Sequence, residues 1–467
     1  MNAGAPARRR GALPETIVAA ATPPGRGGIA IVRLSGPAVP AIAEVLLGAT
    51  PSPRRATRAS FAKLDDGIAL YFPEPHSYTG EHVLELHGHG GPVIVEALIA
   101  RAVSLGARRA HAGEFTQRAY LNGKIDLVQA EAVADLIDAA SQSAATAALR
   151  SLQGEFSQRV RSLGDALAAL RVQVEAAIDF SDEDLEALPE AALRTQLEAI
   201  AQQLTSLQAA GVQGRLLTEG MTVVIAGAPN AGKSTLLNRL VGHEAAIVTP
   251  LPGTTRDVLR ERIQIDGMPL QVLDTAGLRA QAGDEIEAEG MRRAETAMAQ
   301  ADRILFVIDA AADPQARSYE AGATRLPAQV PVTLVFNKID LRADGAPVAA
   351  PSANLPALGL PGIGLPSVAL SARTGEGMDR LREHLKSAAG FAQGGEGAIS
   401  ARARHLEALA RCANHLATAR ALLEDRNGRE LIAEELRRAS VSLGEIIGTE
   451  SPDELLGRIF ASFCIGK

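Results

Sequence analysis

The stretch Gly227-Ala228-Pro229-Asn230-Ala231-Gly232-Lys233-Ser234 follows strand-forming residues at 222–226 and opens a helix at Thr235. This is the P-loop pattern in the context that it requires. Its glycines let backbone N–H groups turn towards phosphate oxygens, and the helix N-terminus adds a positive dipole. Lys233 would bring its charge to the β and γ phosphates, and the hydroxyl of Ser234 would bind Mg²⁺.

Further strand-forming runs surround this loop. They lie at 221–226, 258–265, 269–273, 304–309 and 332–336, with helical sequence between several of them. Asp266-Gly267 separates two of the runs, as in a hairpin turn. Strands alternating with helices indicate a mostly parallel, doubly wound sheet. The range 217–388 is therefore predicted to be a Ras-like P-loop G domain.

Two shorter motifs follow the P-loop. Asp274-Thr275-Ala276-Gly277 ends a strand, so Asp274 would reach Mg²⁺ through water and the N–H of Gly277 could sense the γ-phosphate. Gly253-Thr254-Thr255 precedes it, and a threonine there, Thr255, can complete the Mg²⁺ shell. Either motif alone is weak, but their order after a P-loop predicts a nucleoside triphosphate site.

Asn337-Lys338-Ile339-Asp340 predicts which base is bound. The Asp340 carboxylate can accept N–H bonds from N1 and the exocyclic amine of guanine. Adenine has an acceptor at N1, which would leave a buried charge unpaired at a cost of roughly 2–5 kcal/mol. The backbone at Ser371-Ala372 would contact the guanine oxygen. We therefore predict a GTP site.

The groups that catalyse hydrolysis are less defined. Many regulatory GTPases have Gln after Asp-x-x-Gly, but Leu278 stands here and cannot orient water. One of four downstream acidic residues could do so instead, and spacing does not choose among Asp284, Glu285, Glu287 and Glu289. Asn230 could either coordinate a monovalent cation or stabilise the turn.

The rest of the chain divides into three ranges. Residues 1–122 combine β-prone runs, 16–21, 28–34 and 81–87, with a helix at 92–105. Residues 123–216 are rich in helical sequence. After a Gly-rich linker, helices return in 389–467, where Ser451-Pro452-Asp453-Glu454 begins one as a capping box.

Composition limits the remaining functions. The net charge is −7, although residues 1–63 hold nine basic and two acidic residues, so RNA contact would be local; an ordinary solvated surface is the alternative. Two cysteines indicate a reducing compartment without disulfides or a four-ligand zinc site. With no secretory h-region and no long apolar run, a cytoplasmic location without a membrane segment is expected.

The chain resembles the MnmE (TrmE) tRNA modification GTPases from about Thr16 to its end. The resemblance rests on the G-domain motifs between two helical segments, on 22–28 (Thr-Pro-Pro-Gly-Arg-Gly-Gly), on 86–91 (Leu-His-Gly-His-Gly-Gly) and on the terminal Cys464-Ile465-Gly466-Lys467. It implies a fold of three parts: a mixed α+β folate-binding and dimerisation domain, a helical domain, and an inserted G domain.

The family likeness also implies roles for particular residues. For 5-formyltetrahydrofolate or a related carbon donor, the residues that match the family are Arg33, Glu85, Lys124 and Lys467. Strand-surface charge is the alternative for Arg33 and Glu85. The family's K⁺ replaces an arginine finger where two G domains meet, and its matching ligands are Asn230, Thr249, Leu251 and Thr254. The water-orienting glutamate matches Glu287, with Glu285 as the alternative alignment. Cys464 matches a cysteine proposed for catalysis, and a buried packing thiol is the alternative.

The resemblance implies a partner, the FAD-dependent MnmG (GidA) protein, in a heterotetramer. Together they would install an aminomethyl or carboxymethylaminomethyl group at carbon 5 of the wobble uridine of certain tRNAs. The competing hypothesis is a regulatory switch in ribosome assembly. Such a switch is expected to have an RNA-binding module after the G domain, whereas this chain ends in helical sequence and Cys-Ile-Gly-Lys.

Overall fold

The structure is a computed structural model of the 467-residue chain. It describes residues 15–179, 190–243, 260–274, 295–342, 365–391, 398–424, 429–448, 453–461 and 463–466. The chain forms two compact units. Unit 1 comprises Met1–Ile137, Leu149–Thr205 and Glu407–Lys467, and unit 2 comprises Asp138–Ala148 and Ser206–Leu406.

Unit 1 contains a mixed sheet, which among the described residues has the order β3-β4-β5-β2-β1-β6. Its strands are β1 (Ile17–Ala20), β2 (Gly27–Ser35), β3 (Thr57–Phe61), β4 (Asp65–Phe72), β5 (Val83–Gly90) and β6 (Arg108–Arg109). Helices α1 (Val39–Leu47) and α2 (Pro92–Ser104) cover one face. Because side chains alternate along a strand, Val32, Leu34, Leu84 and Leu86 are buried in that face while Arg33 and Glu85 share the other.

Unit 1 also contains a set of helices. They are α3 (Glu114–Leu121), α4 (Leu127–Ile137), α6 (Glu155–Asp179), α12 (Arg429–Ile447) and α13 (Asp453–Ala461), with parts of α5 (Gln142–Leu152), α7 (Glu190–Thr218) and α11 (Ala403–Glu424). Leu127 of α4 is buried with Phe460 and Phe463 at the end of the chain. The C-terminal residues therefore belong to the same unit as the N-terminal sheet.

Unit 2 contains a parallel sheet with one antiparallel edge, in the order β12-β11-β10-β7-β9-β8 among the described residues. Its strands are β7 (Met221–Gly227), β8 (Arg260–Ile265), β9 (Met268–Asp274), β10 (Arg303–Asp309), β11 (Val332–Asn337) and β12 (Ser367–Ala369). Its helices include α8 (Lys233–His243), α9 (Arg317–Gly322) and α10 (Met378–Ala389). Val223 and Ile225 are buried on one face, and Val224 and Ala226 on the other, so both faces are covered as in a doubly wound fold.

The fold predicted from the sequence is confirmed. The predicted runs at 221–226, 304–309 and 332–336 are strands, and Asp266 and Gly267 turn the β8–β9 hairpin with φ of 48° and 91°. The hairpin of β3 and β4 was missed. The four domain ranges stay a prediction, and the linker residues at 392–397 lie outside the described residues.

No helix in the described part of the chain is long and apolar enough to cross a membrane.

Candidate nucleotide-binding site

The P-loop joins β7 to α8 at the carboxyl edge of the parallel sheet. Asn230 has φ of 62° and Gly232 has φ of 94°, so the loop turns sharply before the helix begins. A Cβ at Gly232 would overlap the side-chain amide of Asn337, so glycine is required there for close approach as well as for conformation. The loop therefore wraps a backbone concavity in front of α8.

The side chain of Lys233 lies within this loop. Its Nζ donates hydrogen bonds to the carbonyl oxygens of Gly227 at 3.1 Å and Ala228 at 2.8 Å. Ser234 and Thr235, the next residues of α8, are exposed. The ammonium and the hydroxyl thus lie together at the helix N-terminus, the arrangement that phosphate oxygens with Mg²⁺ need.

Asn337 ties three predicted motifs together. It ends β11, is 2% exposed, and donates from Nδ2 to the carbonyl of Ala231 at 2.9 Å. Its Oδ1 accepts the N–H of Ala372 at 2.9 Å. One buried amide therefore holds the P-loop and the 371–372 loop at fixed positions, so this residue contributes to the site as a brace.

The Asp340 carboxylate is held by two side chains. Ser371 donates its hydroxyl to Oδ1 at 2.6 Å, and Arg373 donates from Nη2 to Oδ2 at 2.8 Å. The hydrogen bond from Ser371, followed by the charge of Arg373, holds the pKa of Asp340 below its ordinary value. Asp340 is thus an ionised acceptor near neutral pH, as recognition of N–H donors requires.

Lys338 is positioned by a residue that the sequence analysis missed. Its Nζ bonds Oδ2 of Asp309 at 2.6 Å, and Oδ1 of Asp309 accepts the N–H groups of Ala311 and Ala312. Burial alone would raise the pKa of Asp309, but these hydrogen bonds outweigh it and lower the pKa. In the sequence, the feature that could have pointed to Asp309 is its position at the end of a buried strand.

Several predicted residues lie outside the described residues: Thr249, Leu251, Thr254, Thr255, Thr275, Ala276, Gly277, Glu285 and Glu287. Asp274 ends β9 beside Ile225 of β7, which places its backbone at the same sheet edge as the P-loop. The described part of the predicted site therefore assembles at one edge of the sheet, and it comprises Asn230–Thr235, Asn337, Lys338, Asp340, Ser371 and Ala372.

A second polar cluster lies on the face of the unit 1 sheet opposite helices α1 and α2. Arg33 and Glu85 are directly opposite each other on β2 and β5, and their side chains form an ion pair of 2.8 Å. His87 bonds the other oxygen of Glu85 at 3.2 Å, and the Arg33 guanidinium lies 5.8 Å from the ring centroid of Phe115. The side chains of Arg33 and Glu85 are 24% and 15% exposed, so the pair is half-buried, which argues against simple strand-surface charge.

The other two residues predicted to bind folate are Lys124 and Lys467. The Nζ of Lys124 donates a hydrogen bond to the carbonyl of Pro75 at 3.0 Å, and the aliphatic part of its side chain lies beside Gly80. Tyr78, from the same loop, bonds Thr116 at 2.9 Å, and burial raises the pKa of Tyr78. Lys467 lies outside the described residues.

The C-terminal segment packs on the N-terminal sheet. Ile465 pairs with Ala112, and the N–H of Gly113 bonds the carbonyl of Cys464 at 3.3 Å. Gly466 has φ of 98°, and a Cβ there would overlap the carbonyl of Ala20. Cys464 is exposed, so the alternative of a buried packing thiol is wrong for it.

Cys412, in contrast, is buried, and burial raises its pKa to about 12. Among the described residues, no group of three or more His, Cys, Asp and Glu side chains could hold a metal ion.

The doubly wound sheet, the strand–loop–helix turn and the Asn337 brace define a P-loop protein with a G domain. The chain matches the "MnmE helical domain" over residues 127–464 and the "GTP-binding protein TrmE N-terminus" over residues 16–124. It belongs to the MnmE (TrmE) family.

Close relatives match it over nearly its whole length. The tRNA modification GTPase MnmE of Alkalilimnicola ehrlichii is 53% identical over 457 residues, 97% of this chain and 99% of that protein. The protein of the same name from Yersinia pseudotuberculosis is 53% identical over 463 residues, with the same two coverages.

Two solved structures each match a smaller part of this chain. The G domain of the T. maritima FeoB iron transporter is 25% identical, with a TM-score of 0.26, over 36% of this chain and 98% of that chain. Era from Aquifex aeolicus, bound to GDP·AlF4−, is 28% identical, with a TM-score of 0.28, over 42% of this chain and 66% of that chain.

Proposed function

We propose that this protein is a GTP hydrolase that acts in modification of the wobble uridine of tRNA. The observation that supports it best is the joint placement of the P-loop, Asn337 and the ionised Asp340 at one sheet edge. The two relatives described above are named tRNA modification GTPases and align over 97% of the chain. A phosphate-binding loop and a guanine-selecting carboxylate then belong to one GTP site.

At this site, the backbone of the P-loop and the Lys233 ammonium bind the β and γ phosphates. The exposed Ser234 hydroxyl, with Thr255, would hold Mg²⁺, whose charge offsets that of the phosphates. Asn230, exposed at the tip of the loop, would hold K⁺ with Thr249, Leu251 and Thr254. Oxygen donors of this kind suit both hard cations.

Glu287 is proposed to orient the attacking water, because Leu278 cannot. A carboxylate that positions water acts on the transition state, so its loss should slow turnover and spare GTP affinity. The transient pairing of two G domains would bring K⁺ into position, and GTP turnover would drive domain rearrangement.

Unit 1 is proposed to bind the one-carbon donor, 5-formyltetrahydrofolate or a related tetrahydrofolate, and to form the homodimer. The half-buried Glu85 carboxylate, oriented by Arg33 and His87, is chemically suited to the adjacent N–H and NH₂ donors of a pterin. Lys124 and Lys467 would meet the folate carboxylates, and the exposed Cys464 is a candidate for catalysis.

The remaining partner is proposed to be the FAD-dependent MnmG protein, with which this chain would form a heterotetramer in the cytoplasm. The complex would add an aminomethyl or carboxymethylaminomethyl group at carbon 5 of the wobble uridine. The match of residues 16–124 to the TrmE N-terminus favours this function over a ribosome-assembly switch.

Mass spectrometry of tRNA nucleosides tests the proposal. A strain that lacks this protein should lose the carbon-5 modification, and the unmodified gene should restore it. Complementation with the Lys233→Ala variant should fail. The control variant Asp379→Asn, which changes an exposed side chain on α10, should restore the modification. An unchanged nucleoside profile in the deletion strain would reject the proposed function.

A further inference from the structure

Asp309 ends β10 at the same sheet edge as the nucleotide-binding motifs, although it belongs to none of them. It lies opposite Asn337 in the register of β10 and β11. Its Oδ1 accepts the N–H groups of Ala311 and Ala312, and its Oδ2 accepts a hydrogen bond from the Nζ of Lys338 at 2.6 Å. The carboxylate is therefore fixed by its own loop and presents one oxygen to one lysine.

Lys338 is held in a backbone conformation that lysine rarely adopts. Its φ is 64°, in the left-handed region, where a residue with a Cβ is disfavoured. Its side chain passes the P-loop, because its Cε lies 3.9 Å from the position that a Cβ would take on Gly232. The side chain thus runs from the base-recognition motif, past the phosphate-binding loop, to the carboxylate of Asp309.

The Lys338 side chain therefore lies between the two parts of the proposed nucleotide site. The P-loop is expected to hold the phosphates, and Asp340, in the same motif as Lys338, is expected to hold the base. A lysine side chain has a long flexible stem that loses much conformational entropy when it is ordered. The ion pair with Asp309 fixes the far end of this stem before the nucleotide arrives, so less ordering is left for the binding step.

We propose that Asp309 is a positioning residue for guanine nucleotides, which acts by holding the Lys338 side chain beside Gly232. Without the carboxylate the lysine stem is free to move, and a nucleotide must order it on binding. Asp309 thus acts through Lys338 and makes no contact of its own with the nucleotide. This inference rests on the proposed GTP site and adds to it a residue that lies outside its sequence motifs.

The substitution Asp309→Asn removes the ion pair with little change in shape. Its remaining oxygen can still accept the N–H groups of Ala311 and Ala312, so the loop should stay folded. Its new amide donor faces the Lys338 ammonium, which then has no acceptor there. Ordering one long side chain at a binding site lowers affinity by about 2- to 10-fold, so GDP binding should weaken by about that factor.

The test is a double-mutant cycle, measured by calorimetric titration of the full chain with GDP. Lys338→Met keeps most of the apolar stem and removes the ammonium, so Asp309→Asn should have no further effect in that background. Asp313→Asn is the matched control. Asp313 also accepts backbone N–H groups, those of Arg317 and Ser318, but bonds no lysine in the described part of the chain, so GDP affinity should not change.

Three results would overturn the inference while leaving the GTP site intact. One is an equal loss of GDP affinity from Asp309→Asn in the Lys338→Met background, which would mean that Asp309 acts through its own charge or its loop. Another is unchanged GDP affinity in Asp309→Asn. The third is tighter GDP binding by that variant, which would mean that the released ammonium binds the phosphates. If the unmodified chain did not bind GDP, the proposed function would fail together with this inference.

Discussion

Replacing Asp340 by Asn isolates the group that we expect to select guanine. The substitution keeps the size of the side chain, removes its charge and turns one acceptor into a donor. Ser371 can still donate to the remaining oxygen, and the exposed Arg373 can turn into solvent, so little effect on folding is expected. The change should therefore act on the base rather than on the fold.

The magnitude follows from the hydrogen bonds that are lost. A hydrogen bond to a charged group contributes about 1.5–3 kcal/mol, so the loss of one should weaken GDP binding about 10- to 150-fold. Xanthine has a carbonyl where guanine has the 2-amino group, and the new amide N–H can donate to it. The variant should thus gain affinity for XDP while it loses affinity for GDP.

Competition of GDP and XDP against a fluorescent guanine nucleotide measures both changes. Asp379→Asn is the matched control, because the Asp379 side chain is 94% exposed on α10 and pairs with the neighbouring Arg382. Unchanged GDP affinity in Asp340→Asn, with no gain for XDP, would refute the assignment of Asp340 to base recognition.

Four further outcomes are expected. Hydrogen bonds from Arg108, from the N–H of His111 and from Arg118 outweigh burial and lower the pKa of Glu114 to about 2. The pKa in the unfolded chain is near 4.5, so the stability that these bonds contribute is present above pH 4.5 and is lost as pH falls towards 2. The urea concentration at the unfolding midpoint should therefore fall over that pH window, and it should fall less in Glu114→Gln. A thiol reagent should label Cys464 and spare the buried Cys412 in the native protein, and both after denaturation; equal labelling would contradict their exposures. GTP hydrolysis should be faster in KCl than in NaCl at equal ionic strength, and Glu287→Ala should slow turnover without weakening GTP binding; equal rates in the two salts would remove the cation assignment.

The sequence predicted the G-domain sheet well because its signals are local. A buried parallel strand is a continuous apolar run, and the P-loop and the Asp266-Gly267 turn are short patterns with strict conformational needs. The β3–β4 hairpin has no such signal. Its turn contains Ala62 and Lys63 at φ of 53° and 62°, and neither residue type is typical of a left-handed turn.

The residues of the nucleotide-binding site were also predicted in part from the sequence. Asn337 and Asp340 were found from one motif, yet Asn337 acts as a brace between two loops, which only the fold reveals. Arg373 and Asp309 were missed because each meets its partner across about 30 residues of chain. Contacts of that kind depend on tertiary structure and leave no periodic pattern in the sequence.

We expect unit 2 to bind guanine nucleotides through the P-loop and Asp340. Calorimetric titration of the full chain with GTP and with ATP, each with Mg²⁺, tests it most directly. Saturable heat with GTP and none with ATP is predicted, with the GTP signal abolished in Lys233→Ala. Equal or tighter binding of ATP, or binding of neither nucleotide, would contradict it.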